Sequence, residues 1–339
     1  MIKSSVTLSR IIKINILLAG VLLVVVLVSL LLGTAKIGII ESLREILCGW
    51  QEGFTGLTPV EKTIIFSIRL PRIIFAGIVG AALSTAGVVF QALLRNPLAD
   101  PYILGISGGS AVGAIIGIVT GIGFLPFSIP GLAFLGAIIT VVLVFAIGRT
   151  NPNTLLLAGV IVNAFFSSII MFFISLSTNA DLHNITFWLM GNLSFAGNSE
   201  IILTGFFLMV GFAVIYIEAR SLNLIVTGEE TATQLGVNVE RTKIILFLAA
   251  SMITGLAVSF SGIIGFVGLI IPHIMRMLFG SDHRLLLPAS LLFGASFLIA
   301  ADTIARTIIP YTELPVGVIT AMCGAPYFIY LLRRRISRP

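Results

Sequence analysis

Apolar residues along this chain come in long continuous runs rather than in the period-two alternation of barrel strands, and the runs repeat nearly to the C-terminus. A run of about 20 apolar residues matches the hydrocarbon thickness of a bilayer when wound as a helix. The runs predict ten spans, at 14–34, 73–94, 103–120, 131–148, 154–175, 200–218, 242–260, 263–279, 286–304 and 316–332. Residues 186–196 are too few to span and predict an interfacial or re-entrant helix. The first run is longer than the roughly 7 to 15 residues of a signal-peptide core, so it is expected to remain as a span. Two stretches break the apolar background. Residues 35–72 are mixed in polarity, and residues 219–241 form a long polar loop. In that loop Gly228-Glu229-Glu230 and Gly236 punctuate a short helix: acid in the first turn, glycine past the end.

Composition removes the soluble alternatives. Of 339 residues, 58% are hydrophobic and 10% charged, with a mean hydropathy of +1.14. Soluble domains carry about 25% charged residues, so lipid is the solvent for most of this surface. Backbone groups in lipid must be satisfied within the span, which leaves helices here. The expected fold is an all-α polytopic membrane protein, a single transmembrane domain over 1–339.

Charge then sets orientation. With ten spans both termini lie on one side, and that side carries 14 of the 20 lysines and arginines. Basic loops mark the cytoplasmic side, so both termini are expected in the cytoplasm, and the net charge of +6 reports those loops rather than a nucleic-acid partner. Cys48 and Cys323 are the only cysteines, and no structural disulfide is expected.

The span 103–120 carries Gly105, Gly109, Gly113 and Gly117, with Gly121 beyond it. A spacing of four puts them on one helix face, where a neighbouring backbone can approach closely. Other chemistry is thin. Gly105-Ile106-Ser107-Gly108 has the form of an intramembrane serine protease motif, but only His273 lies within a span to serve as base. His183, His273 and His283 form no ligand-spaced set. No phosphate-cradling glycine loop ending in Lys-Ser/Thr is present, so any ATP must be bound by another chain. Asp302 and Arg306 stand four apart, in the favourable order for an ion pair along a helix. Arg306 either pairs structurally or faces an external partner with Asp302 orienting it. Arg69 and Arg72, on the same side, complete an external basic patch suited to carboxylates.

Five stretches resemble one family: IRLPRIIFAGIVGAALSTAGVVFQALLRNPLADPYILGISGGSAVGA (68–114), LLLAGV (155–160), GEETATQLGVNVER (228–241), SGIIGFVGLIIPHIMRMLFGSDHRLLLPASLLFGA (261–295) and ADTIAR with ELPVGVITAMCGAPYFIYLL (301–332). The chain is similar, from about residue 14 to 332, to the permease subunits of type II ABC importers for iron-siderophores, haem and vitamin B12. The resemblance implies ten helices, with helices two to five and seven to ten related by an inverted repeat. It implies a second permease subunit, two cytoplasmic ABC ATPase subunits that hold ATP and magnesium, and an extracytoplasmic substrate-binding protein. No cofactor is implied for the permease itself, which is then not an enzyme. Arg69, Arg72 and Arg306 match arginines that dock the binding protein. Asn96, Pro97 and Leu98 match a cytoplasmic gate loop, and Pro152 and Asn153 its companion, where the family often carries small hydroxyl residues. Glu229, Glu230, Ala232, Leu235 and Gly236 match helices that couple to the ATPase. The implied cargo is a large metal chelate, an iron-siderophore or haem, with cobalamin or an oxyanion as alternatives. An ion-driven carrier is the rival of another class; it predicts carboxylates deep in the spans, and only Asp302, near one face, is present.

Overall fold

A computed structural model describes residues 7–33, 58–194, 197–309 and 312–336; Cys48 and most of the mixed stretch 35–72 lie outside them. The described residues contain helices and no strand. In chain order the main helices are α1 (Leu8–Leu31), α2 (Leu70–Leu93), α3 (Ile106–Val119), α4 (Ser128–Gly148), α5 (Pro152–Leu176), α6 (Asn179–Met190), α7 (Asn198–Ile217), α8 (Ala219–Thr227), α9 (Glu229–Gln234), α10 (Val239–Ser261), α11 (Val267–Phe279), α12 (His283–Thr307) and α13 (Val316–Ile336). The predicted short helix at 186–196 is displaced. It occupies Asn179–Met190, starting at a Thr178 cap and ending where Gly191 turns at φ 77°. The cap signal lay in a polar segment just upstream of the apolar residues that drew the prediction.

Among the described residues, seven helices are long and apolar enough to cross a bilayer, and three shorter apolar ones, at Ile106–Val119, Val267–Phe279 and Val316–Tyr330, complete the expected ten. At 1.5 Å per residue α3 reaches only about 21 Å, short of the roughly 30 Å hydrocarbon core. A 3-10 turn, Pro101–Leu104, leads into α3, and non-helical chain, residues 262–266, leads into α11. Such backbone is tolerated at depth only where protein buries it. Ala99, Pro101 and Leu104 before α3, and Ile264 before α11, are indeed buried. Tyr102 joins the two breaks: its hydroxyl donates to the Ile264 carbonyl (2.6 Å) and accepts from the Ile264 N–H (2.9 Å). One side chain thus satisfies both backbone groups of a residue outside any helix.

α2 is the axis of the molecule. It packs against α12, α10, α11 and α7. Small residues make the closest contacts, with Gly80 on the Gly294 backbone, Gly87 on Gly268, and Ser84 Oγ donating to the Ser290 carbonyl at 2.8 Å. A short lead-in, Pro59–Lys62, enters α2 through a π-helical stretch, Thr63–Arg69. Pro71 explains that stretch: its ring clashes with the carbonyl four residues back in α-geometry, and a wider turn relieves the clash.

The packing follows the inverted repeat. α2 lies on α12 as α10 lies on α4, and α2 on α11 as α10 on α3. α3 packs on α4 as α11 packs on α12, and α4 on α5 as α12 on α13. The expected repeat of spans two to five and seven to ten is thus α2–α5 and α10–α13. The glycine row divides in two. A Cβ on Gly109 would strike Thr140 and the Gly136 carbonyl, and one on Gly113 the Leu132 carbonyl, so α3 meets α4 through backbone. Gly117 faces the Ile129 and Leu132 side chains less tightly. Gly105 and Gly121, at φ 77° and 69°, turn the chain at the two ends of α3 rather than packing its face.

Candidate functional site

The polar constellations lie at opposite ends of the bundle. At the end where α1 begins, Arg10 Nη2 contacts the Phe279 carbonyl at the end of α11 (3.4 Å). On α8, Asn223 Nδ2 donates to Asp282 Oδ1 at 2.9 Å, and its Oδ1 accepts the His283 N–H at 2.9 Å. Hydrogen bonds from Arg284 hold the Asp282 carboxyl at a pKa of about 2, against the smaller opposing effect of burial. The polar loop 219–241 therefore folds as two short helices moored on the turn between α11 and α12.

The second of these, α9, starts at Glu229, as the acid-then-glycine punctuation predicts, and Gly236 follows it at φ 85°. Glu229 is a hub. Its Oε1 lies 3.0 Å from Arg95 Nη2 and its Oε2 2.7 Å from Lys243 Nζ. Arg95, at φ 47°, precedes the loop residues Asn96, Pro97 and Leu98. Lys243, on α10, also reaches the Thr150 carbonyl (3.4 Å), two residues ahead of α5, whose first turn holds Pro152 and Asn153; the expected companion loop is thus the start of a helix, because Asn151 caps it and proline fits its first position. Both loops are preformed by asparagine: Asn96 Oδ1 accepts the Leu98 N–H (3.0 Å), and Asn151 Oδ1 accepts those of Asn153 and Thr154. Pro152 takes the first helical position, where its missing N–H costs nothing. Glu229 thus ties α9 directly to Arg95, beside the 96–98 loop, and by way of Lys243 to the turn ahead of Pro152.

Ala232 is fully buried within the chain, so it does not present itself to a partner as the motif implied. A six-residue helix lying on the bundle has an inner face, and Ala232 occupies it. Glu230 and Leu235 face outward, Leu235 with 62% of its surface exposed.

At the other end, Arg69, Arg72 and Arg306 come together, yet the expected exposed patch is corrected. They are only 4%, 9% and 6% exposed. Arg72 grips Asp302 through Nε (3.0 and 3.1 Å) and Nη2 (2.9 Å). Arg306 Nε donates to the same carboxylate at 3.2 Å, and its Nη2 donates to Ser29 Oγ at 2.8 Å. Arg69 Nη1 donates to the Leu30 carbonyl at 2.8 Å. Both readings of the Asp302–Arg306 spacing are resolved here: the pair forms, and it closes inward on α1. Arg72 holds a second acid, Glu313, at 2.7 Å, and Ser194 Oγ donates to the same Glu313 oxygen at 3.0 Å. Burial pushes the Glu313 carboxyl up, but Arg72, Ser194 and Arg306 together outweigh it and hold that carboxyl below its usual range. Beside this bridge lies a cavity of about 710 Å³ walled by His183, Phe187, Trp188 and Phe260, with Ser259 and Ser261 at the end of α10 and Glu313 on its border.

Tyr102, Lys243 and Glu313 had no role in the sequence reading. Tyr102 and Glu313 sit inside quoted motifs, and Arg95 begins RNPLADP; a charge or hydroxyl opening a loop motif was the available signal.

The FecCD transport family profile matches residues 21–334. The chain is 45% identical over 291 residues to the cobalamin import system permease protein BtuC of Halobacterium salinarum, covering 84% of this chain and 77% of that one. It is 39% identical over 328 residues to the hemin transport system permease protein HmuU of Yersinia pestis, covering 92% and 94%. Among solved structures, a metal-chelate type ABC transporter in an inward-facing conformation superposes with a TM-score of 0.83 at 32% identity, over 95% of this chain and 99% of that one. An all-helical bundle with an inverted repeat, matched end to end in sequence and in space, places this chain in the FecCD transport family, as a membrane permease subunit of an ABC importer.

Proposed function

We propose that this permease carries a large metal chelate, an iron-siderophore or haem, through a path formed with a second copy of itself. Two cytoplasmic ATPase subunits, with ATP and magnesium, drive the cycle. An extracytoplasmic binding protein delivers the cargo. Positive residues cluster at the end that bears α8 and α9, which is accordingly the cytoplasmic end. The observation that carries the reading is the Glu229 hub. A helix pushed by an ATPase would move both segments at the foot of the bundle, because Glu229 holds Arg95 beside one and Lys243, which reaches Thr150, beside the other. Cobalamin is the second reading, favoured by the 45% identity to a cobalamin permease.

The docking role of Arg69, Arg72 and Arg306 needs restating in view of their burial. Two guanidiniums, Arg72 and Arg306, meet two carboxylates, Asp302 and Glu313, and Arg69 lies beside them on the Leu30 carbonyl. Only the Glu313 contact is half-exposed, so Arg72 is the guanidinium that a carboxylate on a docking partner can reach. The test is uptake into proteoliposomes of the reconstituted complex, with ferric siderophore, haemin and cobalamin each loaded on its binding protein. Uptake should require ATP and persist with ion gradients collapsed. Uptake by the permease alone, driven by an ion gradient, would replace this reading with a secondary carrier.

A further inference from the structure

Arg72 holds its two carboxylates very unequally. Asp302 makes three contacts with it and has a side chain 1% exposed; Glu313 makes one contact and is 55% exposed. The first pair is structural. The second is exchangeable, because water screens a half-exposed pair and re-hydrates the carboxylate as it leaves. Glu313 also bridges two separate loops at the outer end. It belongs to residues 312–315, which are pinned to α12 by the Leu314 N–H on the Ala305 carbonyl (3.1 Å). Through Ser194 it holds residues 191–194, which follow α6. Ser194, Glu313, Leu314 and Pro315 all border the outer cavity. The Arg72–Glu313–Ser194 bridge is thus a clasp between two parts of the cavity rim.

We propose that Glu313 stands in for a docking partner's carboxylate: it occupies Arg72 while nothing is docked and clasps the two loops at the cavity rim, and a carboxylate arriving on the partner displaces it and frees the rim. This rests on the docking reading above. Displacement costs the cluster little charge, since one carboxylate replaces another on the same guanidinium. Removing Glu313 without replacement leaves Arg72 one carboxylate short, which favours a partner that supplies one.

The test has two arms, in nanodiscs, on a background with Cys48 and Cys323 changed to Ser. The first arm needs no partner. Ser259→Cys places a thiol of nearly unchanged shape on the buried cavity wall, and its modification by a charged thiosulfonate reports rim opening. Glu313→Gln and Glu313→Ala should both speed modification, by about fivefold for loss of one half-exposed ion pair. Equal rates in the wild type and both variants would overturn the clasp, whatever the docking result. The second arm measures binding-protein affinity. With the internal competitor gone, Glu313→Ala should bind more tightly, again by about fivefold. Weaker or equal binding overturns the displacement step. If the wild-type complex binds no such protein, the docking reading fails and displacement with it, and the first arm still decides the clasp by its own rates. Unchanged thermal stability of Glu313→Gln keeps faster labelling from being put down to unfolding.

Discussion

Two buried carboxyl groups show how differently the same residue type is used in this bundle. Asp302 lies between Arg72 and Arg306, almost wholly out of contact with solvent. A buried ion pair gains little over an apolar substitute, but removing one member strands the others. Asp302→Asn leaves two buried guanidiniums with no buried counter-charge and should cost about 3 kcal/mol or more, seen as a lower midpoint in thermal unfolding of the purified complex. For the same reason, reversing Arg69 or Arg306 to Glu breaks the fold before it tests docking. Asp100, by contrast, pairs with no cation among the described residues. It caps the turn before α3 by accepting the Tyr102 N–H, and its other oxygen is buried without a hydrogen-bond partner. Asp100→Asn keeps the cap and removes a charge that burial disfavours. It should raise the midpoint of thermal unfolding at neutral pH, and a lowered midpoint would mean Asp100 is solvated or paired in the assembled complex.

Between helices, α3 and α4 meet through backbone at Gly109 and Gly113, with the Ile129 and Leu132 side chains against Gly117. Lipid supplies no hydrophobic drive between spans, so close packing of small residues has to supply the association. Gly113→Leu should separate the two helices and lower both yield and unfolding temperature, since overfilling a tight contact costs about 1 to 3 kcal/mol or more. Gly121→Ala is the matched control. It meets no atom within 4 Å, so only its positive φ opposes the change, at a cost of about 1 kcal/mol. Equal loss in both variants, by scanning fluorimetry, would show that turn geometry rather than packing dominates. Gly109 and Gly113 were legible as a packing face because their spacing is helical. Gly105 and Gly121 share the spacing but lie where α3 starts and stops, and spacing carries no information about a backbone dihedral.

Across the whole molecule, the two ends are linked by rigid helices and differ in how their charges are held. The outer cluster is mostly buried, whereas the hub at the α9 end is half open: Arg95 and Glu229 are 45% and 38% exposed, and Lys243 is 9% exposed. The half-exposed Arg95–Glu229 pair contributes under about 1 kcal/mol to stability, and a glutamine at 229 keeps an oxygen for buried Lys243, so the charge of Glu229 can be removed with the contact geometry kept. Glu229→Gln should leave folding and ATPase copurification intact and lower transport per ATP hydrolysed by about fivefold or more, within the usual range of coupling free energies. Unimpaired coupling in this variant would remove Glu229 from the relay. Leu235, exposed beside it, rather than Ala232, is the side chain to truncate when probing the ATPase seat.

Hydrophobic runs, helix caps and the ten-span count were all determined by the sequence alone, because each depends on residues close together in the chain and on the solvent that apolar surface demands. The inverted repeat and the family followed from long motifs in order. What only the tertiary structure decided is which polar groups meet. Arg72 stands 230 residues from Asp302 and 241 from Glu313, Arg95 stands 134 from Glu229, and Tyr102 stands 162 from Ile264. Sequence predicted arginines at an outer face, but not that α1 and α12 would close over them. A charge near a membrane surface can turn outward to water or inward to a partner, and the choice depends on whether packing brings a carboxylate within reach.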